Sequence, residues 1–231
     1  MELLLEGIRE GLRLLATADS QVMQALVLSL WVSLLATALA ASVGLPVGLW
    51  VGLGRLRTSR TVAGLLNASM ALPTVVVGLV VYALTCRRGP LGPLELLYTP
   101  WAMVMAQAIL GLPIITALSA AAARTLDSRV RPTALTLGAS PWQAAMTVVA
   151  EARLAVAGAL AAAFGRLVTE VGAAIMVGGN IRGYTRTLTT AITLETAKGD
   201  LGRAMAMGLV LIVVALGVNM LASYLQARIR P

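Results

Sequence analysis

Apolar residues fill this chain in long uncharged runs, and the short polar interruptions between them set where each helix begins and ends. No charge occurs between Asp19 and Arg55. A helix crossing a ~30 Å hydrocarbon core needs about 20 apolar residues, so this run predicts a first span over 22–53, long or tilted. Within it Gly44, Gly48 and Gly52 recur every fourth residue, a spacing that lets a neighbouring helix approach closely. Gly54 is expected to end that helix, ahead of a basic loop of Arg55, Arg57 and Arg60. A second run predicts a span over 61–86, kinked by the missing N–H of Pro73. After a turn-rich loop from Arg87 to Pro93 comes a third span over 96–123, interrupted by Gly111-Leu112-Pro113. Pro73 and Pro113 are candidate gate hinges; the alternative is a pair of static bends set by packing.

The stretch 131–151 is uncharged from Pro132 to Ala150, yet it does not read as a span. Pro132, Gly138 and Pro141 cut it into pieces too short to cross. Ser140-Pro141-Trp142-Gln143 has the form of a helix start, with Ser140 at the N-cap, Pro141 at the first helical position and Gln143 reaching back. Gly138 is expected to end a short preceding helix, Thr133 to Leu137, by adopting a left-handed conformation. Two short helices at such a corner suit a knuckle that projects from a membrane bundle and meets another protein.

A fourth span is predicted over 154–178. It carries Arg166 and Glu170, spaced i,i+4 on one helical face and able to neutralise each other. Ionisable groups at membrane depth face a bundle interior or a wet cavity, so this pair either holds the structure together or lines a translocation path. Gly158, Gly165 and Gly172, seven apart, suggest a second small-residue stripe. A fifth span over 204–227 and a basic tail, 228–231, close the chain. Residues 1–21 instead place Leu4, Leu5, Ile8, Leu12 and Leu15 opposite Glu2, Glu6, Arg9, Glu10 and Arg13, the pattern of an amphipathic helix lying in the interface. The acidic extreme N-terminus argues against a secretory signal.

Composition sharpens the class. Of 231 residues 58% are hydrophobic and 12% charged, with a mean hydropathy of +0.87, against about 25% charged in a soluble domain. The fold class is therefore an all-α membrane protein. With no His and a single Cys86, no disulfide framework and no ordinary Cys/His metal site is expected. The formal charge of +8 comes from arginines scattered between apolar runs, which speaks against nucleic acid as a partner. The one lysine lies in Ala197-Lys198-Gly199-Asp200, outside any Walker A loop, so ATP is not bound here in the usual way. Counting Lys and Arg on the two sides of a five-span arrangement gives nine against eight, too even to orient the chain by the positive-inside rule.

The segment Asn180-Ile181-Arg182-Gly183-Tyr184-Thr185-Arg186-Thr187, followed by Leu188-Thr189-Thr190, concentrates donors. Arg forks and Thr hydroxyls suit a ligand that offers only acceptor oxygens.

Leu137-Gly138-Ala139-Ser140-Pro141 between spans, followed by Phe164-Gly165-Arg166 and Glu170-Val171-Gly172-Ala173, resembles the membrane subunit of a type I ATP-binding-cassette importer. The run from Gly179 to Ile192 is similar to the oxyanion branch, most like the tungstate permeases and next the molybdate permeases. That likeness implies that the ligand is a tetrahedral oxyanion, and three readings of the segment from Asn180 to Thr190 then stay open: contact with a binding protein, direct contact with the anion, or a solvated external loop. The resemblance implies the importer permease fold over 22–227 and makes Leu137, Gly138, Ala139, Ser140, Pro141, Trp142 and Gln143 the coupling helix. Pro132-Thr133-Ala134 stands where the family has Glu-Ala-Ala, and Ala150-Glu151 where it has Leu-Pro, so docking would rely on shape and backbone more than on an acidic contact. It further implies a prokaryotic cytoplasmic membrane, with the N-terminus outside and the C-terminus in the cytoplasm. The expected partners are a second copy of the chain, two cytoplasmic ATPase subunits that carry the ATP and Mg, an extracytoplasmic oxyanion-binding protein, and lipid. No cofactor and no catalytic residue are expected in this chain. The competing class is a secondary transporter or channel without an ATPase, which calls for an internal repeat or paired broken helices; no repeat is visible.

Overall fold

The computed structural model describes residues 8–10, 13, 19–53, 60–126 and 129–229. Most of the expected interfacial helix (1–21), with Gly54, Arg55, Arg57, Asp127 and Arg230, lies outside the described residues. The described chain is helical, in the order α1 Ser20–Leu53, α2 Arg60–Ser69, α3 Thr74–Thr85, α4 Pro100–Thr125, α5 Val130–Thr136, α6 Pro141–Glu151, α7 Arg153–Val168, α8 Gly172–Gly178, α9 Leu188–Ala197 and α10 Leu201–Ile229. Ser20–Leu53, Pro100–Arg124 and Leu201–Met220 are each long and apolar enough to cross a membrane, and α6 with α7, bent by 64°, qualifies together as a broken span.

The parallel pair α1 and α4 forms the spine. Trp31 meets Trp101 edge to face at a centroid distance of 5.3 Å, and further along Gly44 lies against Ile115 and Gly52 against Ala123. A Cβ at Gly48 would come within 2.5 Å of the Thr116 carbonyl oxygen, so the four-residue glycine repeat does bring the backbones together. Buried polar groups join the same seam: the Ser33 hydroxyl donates to Gln107 Oε1 at 3.2 Å. The main core gathers around Val32, Val81, Met103 and Leu167.

Four expectations are corrected. The span over 61–86 is not one kinked helix but α2 and α3, separated at Met70–Pro73. Proline disfavours helical geometry at the residue before it, so the chain breaks ahead of Pro73, which becomes the N-cap of α3 with an extended ψ of 120°. Pro113, by contrast, interrupts nothing; α4 runs unbroken past it. The span over 154–178 is α7 and α8, broken at Thr169–Val171. There the Thr169 hydroxyl bonds back to the Gly165 and Arg166 carbonyls, and the Glu170 carboxylate accepts the Ala173 N–H of the next helix at 3.2 Å. The glycine stripe 158–165–172 is consequently not one surface: Gly165 faces Asn219 of α10, whereas Gly172 opens α8 against Thr74.

Candidate functional site

The two segments singled out by sequence lie at opposite ends of the bundle. Ala152, at the close of the knuckle, packs with Leu49 and Ala123, the far ends of α1 and α4. The polar segment after α8 is tied to the other end, where the Tyr98 N–H donates to the Val177 carbonyl just ahead of α4.

At the knuckle, local sequence dictates the geometry. Gly138 takes a φ of 88°, a conformation without cost only for glycine. Ser140 Oγ accepts the Gln143 N–H at 3.3 Å while Gln143 Oε1 accepts the Ser140 N–H at 2.8 Å, the reciprocal cap expected from the motif. The helix ahead of the corner is Val130–Thr136, starting three residues before the expected Thr133. Leu137 and Trp142 stand 83% and 74% exposed, and a cavity of about 750 Å³ opens between α5 and α6 along Thr133, Gly138 and Gln143. A rigid, capped corner carrying large exposed apolar side chains is a docking surface in form.

At the opposite end, residues 179–187 form a stitched plug rather than an open loop. The Thr185 hydroxyl donates to the Gly178 carbonyl and accepts the Ile181 N–H at 3.0 Å. Thr187 caps α9 reciprocally with Thr190. Asn180, in left-handed conformation at φ 52°, donates to the Thr190 carbonyl and holds Arg186, whose Nε reaches Asn180 Oδ1 at 3.1 Å. Thr185, Thr187, Thr189 and Thr190 are buried. The Thr185 and Thr187 hydroxyls are turned inward to satisfy backbone and capping groups, so of the three readings of this segment a direct anion contact through them has the least support. Arg182 is exposed and makes no hydrogen bond among the described residues; with the anchored Arg186 it gives the plug two cations, and Arg87, Arg88 and Lys198 are exposed on the neighbouring loops.

Between the ends sits Glu170, 3% exposed, paired with Arg166 at 3.0 Å, whose side chain is 50% exposed. The Glu170 carbonyl also accepts the Thr189 hydroxyl at 2.9 Å. One residue thus joins α7, α8 and α9. Its carboxylate is locked on two sides, which leaves a guanidinium fixed at one end and open on the other.

Sequence reasoning missed Ser29, whose hydroxyl accepts the Leu188 N–H at 2.9 Å and secures the plug to α1. It also missed Gln107. The available signal was their polarity within uncharged runs, since polar side chains in spans serve as interhelical ties.

A multi-pass helical bundle with an exposed capped corner at one end and a cationic plug at the other has the form of a membrane permease. Residues 44–231 match the family described as binding-protein-dependent transport system inner membrane component, and the chain belongs to it. It is 39% identical to the tungstate uptake system permease protein TupB of Peptoclostridium acidaminophilum, over 98% of this chain and 99% of that one. A probable anion ABC transporter permease protein of Haloferax volcanii is 42% identical over 72% of this chain and 74% of its own length. Among solved structures, a bacterial ABC transporter involved in the import of the acidic polysaccharide alginate superimposes with a TM-score of 0.68 at 17% identity, covering 92% of this chain and 81% of the other; that likeness concerns the fold alone.

Proposed function

We propose that this chain forms the translocation pathway of an ATP-driven importer for tungstate, with molybdate as the competing tetrahedral oxyanion. The observation that carries the reading is full-length similarity to a tungstate permease combined with a docking corner and a cationic plug at opposite ends of one bundle. Two copies of the chain enclose the path. The knuckle at 137–143 faces the cytoplasm and sits in a separate cassette ATPase, one per copy, which holds ATP and Mg. The plug faces outward and meets an oxyanion-binding protein through Arg182 and its neighbours, placing the N-terminus outside and the C-terminus inside. Arg166, fixed by Glu170, lines the path: an arginine already paired to a carboxylate attracts a dianion without trapping it, as a conduit requires. Pro73, at a helix break, remains a gate-hinge candidate; Pro113 lies within an unbroken helix.

The test is reconstitution of the permease with its ATPase and binding protein in vesicles, followed by uptake of labelled tungstate, molybdate and sulfate. ATP-dependent uptake of tungstate, with molybdate weaker and sulfate weaker still, is the expected result. Uptake that proceeds without ATP would place the chain in the secondary-transporter class, and exclusion of tungstate would overturn the substrate.

A further inference from the structure

Two cavities follow one another along α1, Trp31 lining the upper and Leu30 the lower. The upper one, about 570 Å³, lies between the first turns of α1 and the plug; Gln24, Arg182 and Arg186 contribute to its polar wall, no carboxylate is among its described lining residues, and the neighbouring Asp19 carboxylate is taken up capping Gln21 and Val22. The lower one, about 580 Å³, is bounded by Leu30, Leu34 and Ala41 of α1, Leu160 and Phe164 of α7 and Val218 of α10. Val27 of the upper cavity and Leu34 of the lower are two helical turns apart on nearly the same face, and both side chains are exposed.

Tryptophans fix the depth of this pair. Trp31 and Trp50 both project from α1, 38% and 69% exposed. Nineteen residues separate them, about 28 Å of helix, close to the ~30 Å hydrocarbon core whose two surfaces tryptophan favours. Trp101 joins Trp31 at the same level. The upper cavity therefore opens at headgroup depth and the lower one in the leaflet beneath. From Trp31 to Ala41 the helix rises about 15 Å, the thickness of one leaflet.

We propose that these two cavities together hold one phospholipid with an anionic headgroup, its phosphate on Arg182 and one acyl chain in the groove between α1, α7 and α10. Charge selects the headgroup. Arg182 has a guanidinium with no partner among the described residues, and arginine grips phosphate with two parallel hydrogen bonds. Arg186, anchored on Asn180, keeps a second positive charge beside it. The groove selects a chain, since its wall offers almost nothing for a polar ligand to bond. The inference assigns Arg182 to the lipid and leaves the binding-protein contact to the rest of the plug, and it stands whichever oxyanion is transported.

Native mass spectrometry of the purified full-length permease tests it, with phosphatidylglycerol and phosphatidylethanolamine of identical chains added in competition. The expected result is one phosphatidylglycerol retained per chain in preference to phosphatidylethanolamine. Arg182→Gln should lower that preference about fivefold, the effect of one arginine at a membrane surface. Ala161→Trp, which fills the lower groove, should release both lipids. Arg182→Gln changes an exposed side chain, so its result stands even where Ala161→Trp fails to fold. Equal retention of the two lipids, or an unchanged preference in Arg182→Gln, overturns the proposal. Displacement of the lipid by inorganic phosphate, with Ala161→Trp behaving as wild type, would reassign the upper cavity to a free oxyanion and also overturn it. A disulfide between the Leu34→Cys positions of two copies, in a Cys86→Ser background, would show the groove covered by the second copy instead.

Discussion

Thr185→Val is the sharpest test of the plug, because it removes one hydroxyl and keeps the side-chain shape. That hydroxyl serves two backbone groups, the Gly178 carbonyl and the Ile181 N–H. Gly178 is buried, so its carbonyl is left without a replacement; an orphaned buried polar group costs about 1–3 kcal/mol. Ile181 is exposed, and water takes up its N–H at little cost. About 2 kcal/mol is therefore the expected loss, a shift of roughly 30-fold in the equilibrium between stitched and open plug. Hydrogen exchange of the assembled complex reads this directly: amides in 178–190 should exchange about 30-fold faster, while those of α4 stay unchanged. Thr185→Ser keeps the hydroxyl and should remain within about threefold of wild type. Wild-type exchange in Thr185→Val, or equal acceleration in Thr185→Ser, would refute the reasoning.

Other perturbations follow from the same contacts. Gly48→Leu drives a side chain into the Thr116 carbonyl and Ser119 and should cost at least ~1–3 kcal/mol, whereas Gly64→Ala meets nothing within 4 Å and should gain up to ~1 kcal/mol of helix propensity; thermal unfolding in detergent separates the two. Glu170→Ala strands Arg166 and frees the Ala173 N–H, at a cost of about 2 kcal/mol, less than the ~3–5 for a fully buried pair because Arg166 is half exposed; the same unfolding assay measures it, and Glu170→Gln, which still accepts the N–H, should lie between. Gly138→Val forces a β-branched residue to φ 88° and should cut ATP-driven uptake more than tenfold while membrane insertion, followed by fractionation, stays normal.

Features written in contiguous residues were legible from the sequence. The Ser140 capping box, the Gly138 turn, the Arg166–Glu170 pair and the α1 glycine repeat each depend on side chains within one or two helical turns. Features that depend on what a polar group faces were not. A threonine hydroxyl is the same donor whether aimed at an anion or at its own backbone, so the burial of Thr185 and Thr187 could not be read from their identity. The break at Thr169–Val171 escaped for a related reason. Glu170 reads as a partner for Arg166, and nothing nearby signals that its other oxygen caps a new helix. Ser29 lies 159 residues from Leu188, beyond any local pattern. Pro73 marked the right place but the wrong form, a break in place of a kink.

These breaks bear on how force would cross the bundle. A motion imposed on the knuckle enters α6, which is bent 64° from α7 at Ala152, and Ala152 is buried against the ends of α1 and α4. From there α7 is a straight lever of 16 residues, about 24 Å, ending at Arg166 and Thr169. The next joint is the Glu170 hub, where three helices meet through one side chain and its carbonyl. Pro113 cannot absorb such a motion while α4 stays hydrogen-bonded on both sides of it and glycine-tight against α1. The pliable points are then Ala152 and 169–171, where the helical ladder is already interrupted and a change in φ and ψ breaks few bonds. Under the proposed function, a knuckle displacement would reach the plug by tilting α7 and pulling on Glu170, and the bond from Thr189 to the Glu170 carbonyl would deliver it to α9. Thr189→Val should therefore weaken the coupling of ATP hydrolysis to uptake while leaving basal hydrolysis intact; tight coupling in that variant would mean that force takes another route.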